Sequence, residues 1–268
     1  MRVKICGITN LEDAEAAVAA GADALGFILF EKSKRFISIE NAINIVEKLP
    51  PFVQTVAVTV NATKEFTNLG WRKQLKNFNL AQLHGEESPV HVKAVSKYLP
   101  VIKVLPAGLG LNFEIPGHMI ETMEKLGDVQ KQLEKKLGHE PTLADIANET
   151  GLPPDRVRSV LRTSLNIELG YIQQPKEYEP LVSAFMLDTP SMERGGTGRV
   201  YDWNLAVEFM KRTAKPLILS GGLNPENVAK AIETVHPYAV DVASGVEASP
   251  GRKDHAKLRD FIQICKSF

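Results

Sequence analysis

Apolar residues along this chain gather into short runs rich in β-branched side chains, separated by longer stretches whose apolar positions recur at helical spacing. The runs are VKIC (3–6), ALGFIL (24–29), QTVAVTV (54–60), LAQLH (80–84), VIKVL (101–105), AFMLD (184–188), PLILS (216–220) and AVDVA (239–243). Most are apolar on both faces, as strands are when helices cover them and neither side is wet. The stretches between them carry helix punctuation. LEDAEAAVAAG follows the capping residues Thr9 and Asn10 and stops at Gly21. IENAINIVEKLP runs into Pro50 and Pro51, SPVHVKAVSKYLP ends at Pro100, and NPENVAKAIETVHP and DHAKLRDFIQIC repeat the pattern near the end. Eight strands alternating with helices predict an α/β chain folded as a closed (β/α)8 TIM barrel, with an open doubly wound sheet as the competitor.

One interval breaks the rhythm. Between the fifth run and the sixth lie 78 residues, where a βαβ connection usually takes a few tens. Within it Met119, Ile120, Met123, Leu126, Val129, Leu133 and Leu137 recur at three- and four-residue steps, the stripe of one amphipathic helix closed by Gly138 and Pro141. Thr142 and Asp145 have capping-box spacing ahead of Leu143, Ile146 and Ala147, and Gly151 ends that helix. Pro153 and Pro154 then open a third, carrying Val157, Val160, Leu161 and Leu165. The expected organisation is a first barrel part over 1–112 (strands 1–5), an inserted all-α helical module over 113–170, and a second barrel part over 171–268 (strands 6–8).

Composition narrows the partners. Lys plus Arg equals Asp plus Glu at 32 each, so no charge excess favours nucleic acid or an anionic membrane, and a small-molecule partner is expected. The module of 113–170 holds seven basic and ten acidic residues, a net of −3, which gives duplex DNA little to hold. Cys6 and Cys265 alone make no disulfide framework. The opening MRVKICGIT has no apolar core of a secretory signal, and no apolar stretch reaches the roughly 20 residues that span a bilayer. A cytoplasmic chain with no membrane contact is expected.

In a (β/α)8 barrel chemistry is built where strands end, so the residues closing each apolar run are the candidates. Cys6 closes the first, Arg35 lies in the loop after the second, His84 closes the fourth and Asp188 the sixth. Gly221 and Gly222 follow the seventh, and Asp241, Ser244 and Gly245 mark the eighth. The glycine-rich loops at 221–222 and 244–245 suit a phosphate, because backbone N–H groups can approach an oxyanion where no β-carbon intervenes; ordinary tight turns are the alternative. Cys6 as a thiolate base facing Asp188 as an acid would relocate a proton. Against that, Cys6 could be a small buried hydrophobe and Asp188 a turn cap. Arg35 could grip a substrate carboxylate in two-pronged fashion or be plain surface charge. His84 reads as a substrate contact or a hydrogen-bonded structural residue. Asp241, inside an apolar run, needs a hydrogen-bonding partner in substrate or backbone.

Taken together and in order, KICGIT (4–9), GADALGF (21–27), KSKRFIS (32–38), QLHGEE (82–87), LDT (187–189), GGTGRVYDW (195–203), LSGGLNPENV (219–228) and VDVASGVE (240–247) resemble the phosphoribosylanthranilate isomerase family of tryptophan biosynthesis. The resemblance runs from 1 to about 106 and from about 178 to 268. It implies an Amadori rearrangement of N-(5-phosphoribosyl)anthranilate, a phosphorylated small molecule, with neither metal nor organic cofactor. Asp188 would protonate the furanose ring oxygen as the ring opens to a Schiff base, and Cys6 would remove the C2 proton to give an enolamine that becomes the ketone. Arg35 would meet the anthranilate carboxylate, His84 and Asp241 would line the substrate, and Gly221, Gly222, Ser244 and Gly245 would hold the phosphate. Thr59 stands where many relatives have an aromatic residue and Ala243 where serine is frequent, so substrate affinity could differ. Relatives occur as monomers and as homodimers.

The interval has a second likeness. FEIPGHMIETMEKL followed by LGHEPTLADIANETGLPPDRVRSVLR is similar, over about 113 to 165, to region three of bacterial primary sigma factors through its HMIET, E-P-T and GLPP landmarks. That resemblance implies promoter contacts at His118 and Glu121; Gly117 replaces the usual valine and should loosen the helix start. The module lacks the other polymerase- and promoter-reading regions. It is therefore expected to be a passenger in place of the barrel's fifth helix, brought by recombination or by construction as a chimera, either shading the active-site mouth or lying on the outer wall. The alternative function is a barrel scaffold that displays a nucleic-acid- or polymerase-binding module with little or no enzymatic activity.

Overall fold

The computed structural model of the chain describes residues 1–62, 68–107, 117–139, 141–154, 157, 160, 175–189 and 201–268. They divide into two compact units, Met1–Ala107 with Pro175–Phe268, and Gly108–Gln174.

The first unit is a closed barrel of eight parallel strands in chain order: β1 (Arg2–Cys6), β2 (Ala24–Ile28), β3 (Gln54–Thr59), β4 (Leu80–Leu83), β5 (Val101–Pro106), β6 (Ala184–Asp188), β7 (Leu217–Leu219) and β8 (Ala239–Val242). β1 pairs with β8 from Arg2↔Ala239 to Ile5↔Val242, and this closure excludes the open sheet. Each strand lies within a residue or two of its apolar run. The helices in the barrel unit include α1 (Leu11–Ala20), α2 (Ile39–Val46), α3 (Leu69–Leu75) and α4 (Pro89–Val95). Asn10 caps α1 by accepting the Asp13 N–H, and Gly21 ends it in the left-handed conformation, as the sequence predicts. The helix α3 and the helix Asn204–Met210 were not anticipated. A two-stranded hairpin, Glu247–Ser249 with Arg252–Lys253, was not anticipated either.

Alternation along the strands decides what enters the barrel. Cys6, Val56, Val58, Ile102, Val104, Ala184, Met186, Ile218 and Ala239 pack as its interior. The intervening residues face the helices: Phe185 of β6 meets Phe209 edge-to-face at 5.4 Å, and Phe27 of β2 meets Phe78 at 5.9 Å. Such pairs contribute about 0.5–1.5 kcal/mol each beyond their buried area. By the same alternation Lys103 of β5 points outward yet is fully buried. Its ammonium is 2.9 Å from Glu87 Oε2 and donates to the carbonyls of Gly85 and Val104 at 2.7 and 3.1 Å. Glu87 in turn accepts the N–H groups of Asn61 and Gly85, each at 2.9 Å. The loop carrying His84 is thereby clamped from below.

The second unit contains α5 (Gly117–Leu137) and α6 (Leu143–Thr150). Of the predicted stripe, Leu126 and Leu133 pack with Ile146, Ala147, Val157 and Val160 in a core of the unit's own, with Val129 partly buried against it; Leu137 is exposed, and the side chains of Met119, Ile120 and Met123 lie outside the described residues. The Thr142–Asp145 capping box forms with both reciprocal bonds, and Gly151 ends α6 in the left-handed conformation. The unit begins at 108 and ends at 174, a few residues wider on each side than the expected 113–170. Leu161 and Leu165, and the side chains of His118 and Glu121, lie outside the described residues.

Candidate active site

At the carboxyl ends of the strands opens a pocket of about 720 Å3, its open mouth included. Cys6, Arg35, His84, Asp188, Gly221, Gly222, Asp241 and Ser244 all line it, with Gln82, Ser220 and Val58 between them. Eight of the nine residues singled out in the sequence therefore meet on one surface. They do so because Cys6, Asp188 and Asp241 share the inward parity of their strands.

Cys6 is buried, and its register partner on β2 is Gly26. A β-carbon at 26 would sit 2.8 Å from Cys6 Sγ and 3.0 Å from Lys4 Nζ, so the glycine makes room for both. Lys4, two residues before Cys6 and on the same face, is buried and donates to Asp241 Oδ1 at 2.7 Å. Burial pushes the Cys6 thiol above its ordinary value, while the neighbouring Lys4 ammonium and, more weakly, Lys253 pull it back. Burial works against the Lys4 ammonium, but the Asp241 carboxylate and the Cys6 sulfur outweigh it and hold its pKa up.

Asp188 accepts the Thr189 N–H on Oδ1 at 2.8 Å, and its Oδ2 lies 3.2 Å from His84 Nε2. The Gln82 amide nitrogen faces His84 Nδ1 at 3.3 Å. Ser220 links the two acids: its hydroxyl is 3.2 Å from Asp241 Oδ2 and 3.5 Å from Asp188 Oδ1. A polar chain thus runs across the mouth from Lys4 through Asp241 and Ser220 to Asp188 and His84. Asp241 reaches the pocket wall, but each of its oxygens already has a partner.

Arg35 is no loose surface charge. Its Nε and Nη2 grip Glu247 Oε1 and Oε2 at 2.8 and 2.7 Å, and that hydrogen bonding, against the cost of burial, holds the guanidinium above its ordinary pKa. Two of its five donors are spent; three remain for a ligand. Lys253, also buried, donates to the Cys6 carbonyl at 2.7 Å, the Ala243 carbonyl at 3.0 Å and Glu247 Oε1 at 3.2 Å. Burial depresses Lys253 despite Glu247. Gly7, at φ +77°, leaves space for the Arg35 stem, whose Cδ would be 2.7 Å from a β-carbon there.

Gly221 and Gly222 adopt φ of +95° and +67°, conformations that L side chains resist, and a β-carbon at 221 would lie 2.6 Å from the Thr189 nitrogen. The Asn227 amide ties the turn by donating to the Gly222 carbonyl at 2.9 Å. Gly245 has a packing role beside its predicted one. It is not among the residues lining the pocket, and a β-carbon on it would run into the Leu223 carbonyl. It is a glycine so that the loop after β8 can press on the loop after β7. Lys4, Gln82, Glu247 and Lys253 were not singled out in the sequence. Lys4 carried a signal, the same parity as Cys6; Glu247 and Lys253 carried none, being distant partners fixed by tertiary contact. Among the described residues no group of three or more His, Cys, Asp or Glu is disposed to hold a metal ion, and no helix is long and apolar enough to cross a membrane.

Residues 3–123 and 149–264 match the family N-(5'phosphoribosyl)anthranilate (PRA) isomerase. The N-(5'-phosphoribosyl)anthranilate isomerase of Citrifermentans bemidjiense is 39% identical over 266 residues, which cover 99% of this chain and 97% of the relative. Among solved structures, the phosphoribosyl anthranilate isomerase of Thermotoga maritima superposes with a TM-score of 0.68 at 35% identity, covering 100% of both chains. A phosphoribosyl anthranilate isomerase in complex with reduced 1-(o-carboxyphenylamino)-1-deoxyribulose 5-phosphate gives 0.66 at 34% identity, again covering 100% of both.

Proposed function

Because the chain belongs to the N-(5'-phosphoribosyl)anthranilate isomerase family and is therefore an enzyme, we propose that it converts N-(5'-phosphoribosyl)anthranilate to 1-(2-carboxyphenylamino)-1-deoxyribulose 5-phosphate, a step of tryptophan biosynthesis. The observation that carries this reading is the convergence of Cys6 and Asp188, from strands on different sides of the barrel, on one pocket walled by Gly221 and Gly222.

Asp188, entering as the carboxylic acid beside His84, gives its proton to the ring oxygen. The C1–O bond breaks and its carbon is left as a protonated Schiff base. The Cys6 thiolate takes the C2 proton: the S–H bond forms, the C2–H pair becomes the C1=C2 bond, and the Schiff-base π pair moves to nitrogen. Tautomerisation of the enolamine gives the ketone. The sum is an isomerisation, so an acid and a base suffice. Arg35, aimed by Glu247, meets the anthranilate carboxylate with its remaining donors. Asp241 and His84 bound the sugar, and the turn at 221–222 with Ser244 takes the phosphate.

The test follows the fluorescence of phosphoribosylanthranilate on adding the purified chain, with Cys6→Ser and Asp188→Asn as controls. Turnover by the parent and its loss in both variants is expected; an inert parent chain sinks the reading.

The steps above use only residues of the barrel unit, not of the helical unit of 108–174. We read it as a self-contained passenger, supported by its own core and its capping box. Its likeness to sigma region three rests on sequence landmarks, and its net charge of −3 over 113–170 opposes duplex binding. A gel shift on extended promoter DNA at low and moderate salt should show no retardation; a retarded band at moderate salt would favour the display-scaffold alternative.

A further inference from the structure

The proposed chemistry needs a thiolate where burial favours the thiol, and β1 carries an answer two residues from Cys6. Inward positions i and i+2 of a strand lie one layer apart, and a lysine stem is long enough to climb that layer. The ammonium of Lys4 and the sulfur of Cys6 converge on the space beside Gly26, 3.0 and 2.8 Å from where a β-carbon would stand. Lys4 donates to Asp241, its register partner on β8, at 2.7 Å, and its ammonium shares the space beside Gly26 with the Cys6 sulfur, drawing the thiol's pKa down against burial. Lys4 is buried and is not among the residues lining the pocket.

The geometry points to Lys4 as a positioning residue, the counter-ion that favours the thiolate form of Cys6 beneath the substrate, with Asp241 competing for the same ammonium and thereby setting how much of it the sulfur receives. The inference rests on Cys6 being the base of the proposed isomerisation. Other charges face the sulfur too. Lys253 donates to the Cys6 carbonyl and Arg35 crosses Gly7, but both are matched by Glu247, while Asp188 and His84 stand across the mouth as a pair of their own. Among these cations Lys4 alone stands with the sulfur beside Gly26, its Nζ 3.0 Å and the sulfur 2.8 Å from the β-carbon position there. In the chemical step no proton passes through it: C2–H breaks, S–H forms, and the ammonium is left with Asp241 alone.

The pair predicts shifts of opposite sign. In a Cys265→Ala background, where Cys6 is the single thiol, the full chain is titrated by thiolate ultraviolet absorbance and by the pH dependence of alkylation. Lys4→Met should move the Cys6 titration up by about one pH unit or more, the size of effect a close charge exerts. It should also lower kcat about tenfold at neutral pH, with KM little changed and the rising limb of the kcat profile displaced equally. Lys4→Arg should keep the parent titration. Asp241→Asn, nearly isosteric, should move it down, because the thiolate then holds the ammonium alone; this arm decides the matter if Lys4→Met does not fold. Coincident titrations in parent and Lys4→Met, or an upward or absent shift in Asp241→Asn, overturn the proposal. If the shifts appear but the parent chain does not isomerise phosphoribosylanthranilate, the ion pair stands and the functional reading falls; turnover without the shifts has the reverse meaning.

Discussion

Replacing Glu247 with Gln asks whether one carboxylate sets both the stability of the barrel mouth and the aim of Arg35. That carboxylate receives Arg35 Nε at 2.8 Å, Arg35 Nη2 at 2.7 Å, Lys253 Nζ at 3.2 Å and the Gly251 N–H at 3.3 Å. Its side chain is 5% exposed, those of Lys253 and Arg35 0% and 11%. Gln keeps the shape but turns an NH2 group toward donors and leaves two cations with no anion between them. Removing one partner of a buried pair costs about 3–5 kcal/mol. The lower end applies, because Lys253 keeps two carbonyl partners at 2.7 and 3.0 Å. An expected loss of about 3 kcal/mol is to be read by urea unfolding, with Trp71 and Trp203 of the barrel unit reporting. Arg35, no longer aimed, should forfeit one charge-assisted hydrogen bond to substrate, about 1.5 kcal/mol, or about tenfold in KM. The pH dependence follows from Lys253. Burial already depresses its pKa although Glu247 raises it, and without Glu247 it falls further. The unfolded chain then binds more protons than the folded one between the two pKa values, so stability rises with pH and the deficit of the variant narrows toward the ordinary lysine range. A loss under about 1 kcal/mol together with an unchanged KM would refute the reasoning.

Three further outcomes are expected. Gly245→Ala should destabilise the barrel by about 1–3 kcal/mol through overpacking against the Leu223 carbonyl, and should raise KM for the phosphorylated substrate by displacing the β7 loop; denaturation midpoints and steady-state rates check both. Burial alone would raise the Glu87 carboxyl, but Lys103 and the Asn61 N–H hold it below its ordinary value. Its stabilisation is therefore present above the ordinary glutamate pKa and is lost as pH falls through the folded value; urea midpoints should drop on acidification in the parent and less so in Glu87→Gln. Since burial raises the Cys6 thiol, the thiolate fraction and kcat should climb with pH through and beyond the ordinary thiol range; a kcat that stays flat across that range would remove Cys6 as the base.

The sequence by itself determined what local spacing can carry. Short apolar runs rich in β-branched residues marked the eight strands, and the residues closing those runs, Cys6, His84 and Asp188 among them, marked the site; capping residues such as Asn10, Thr142 and Gly151 fixed helix ends, because each acts within a few bonds of its own backbone. The motif resemblance carried the family. Partners set by ring closure were decided only in three dimensions. Lys4 meets Asp241 because β1 pairs with β8, and Arg35 meets Glu247 across 212 positions of chain. Gly245 was legible as a loop glycine but not as a packing contact, since nothing near it in the sequence announces the Leu223 carbonyl pressed against it. Inward or outward is written in a strand's own period; which buried charge answers which depends on where the barrel brings distant strands and loops together.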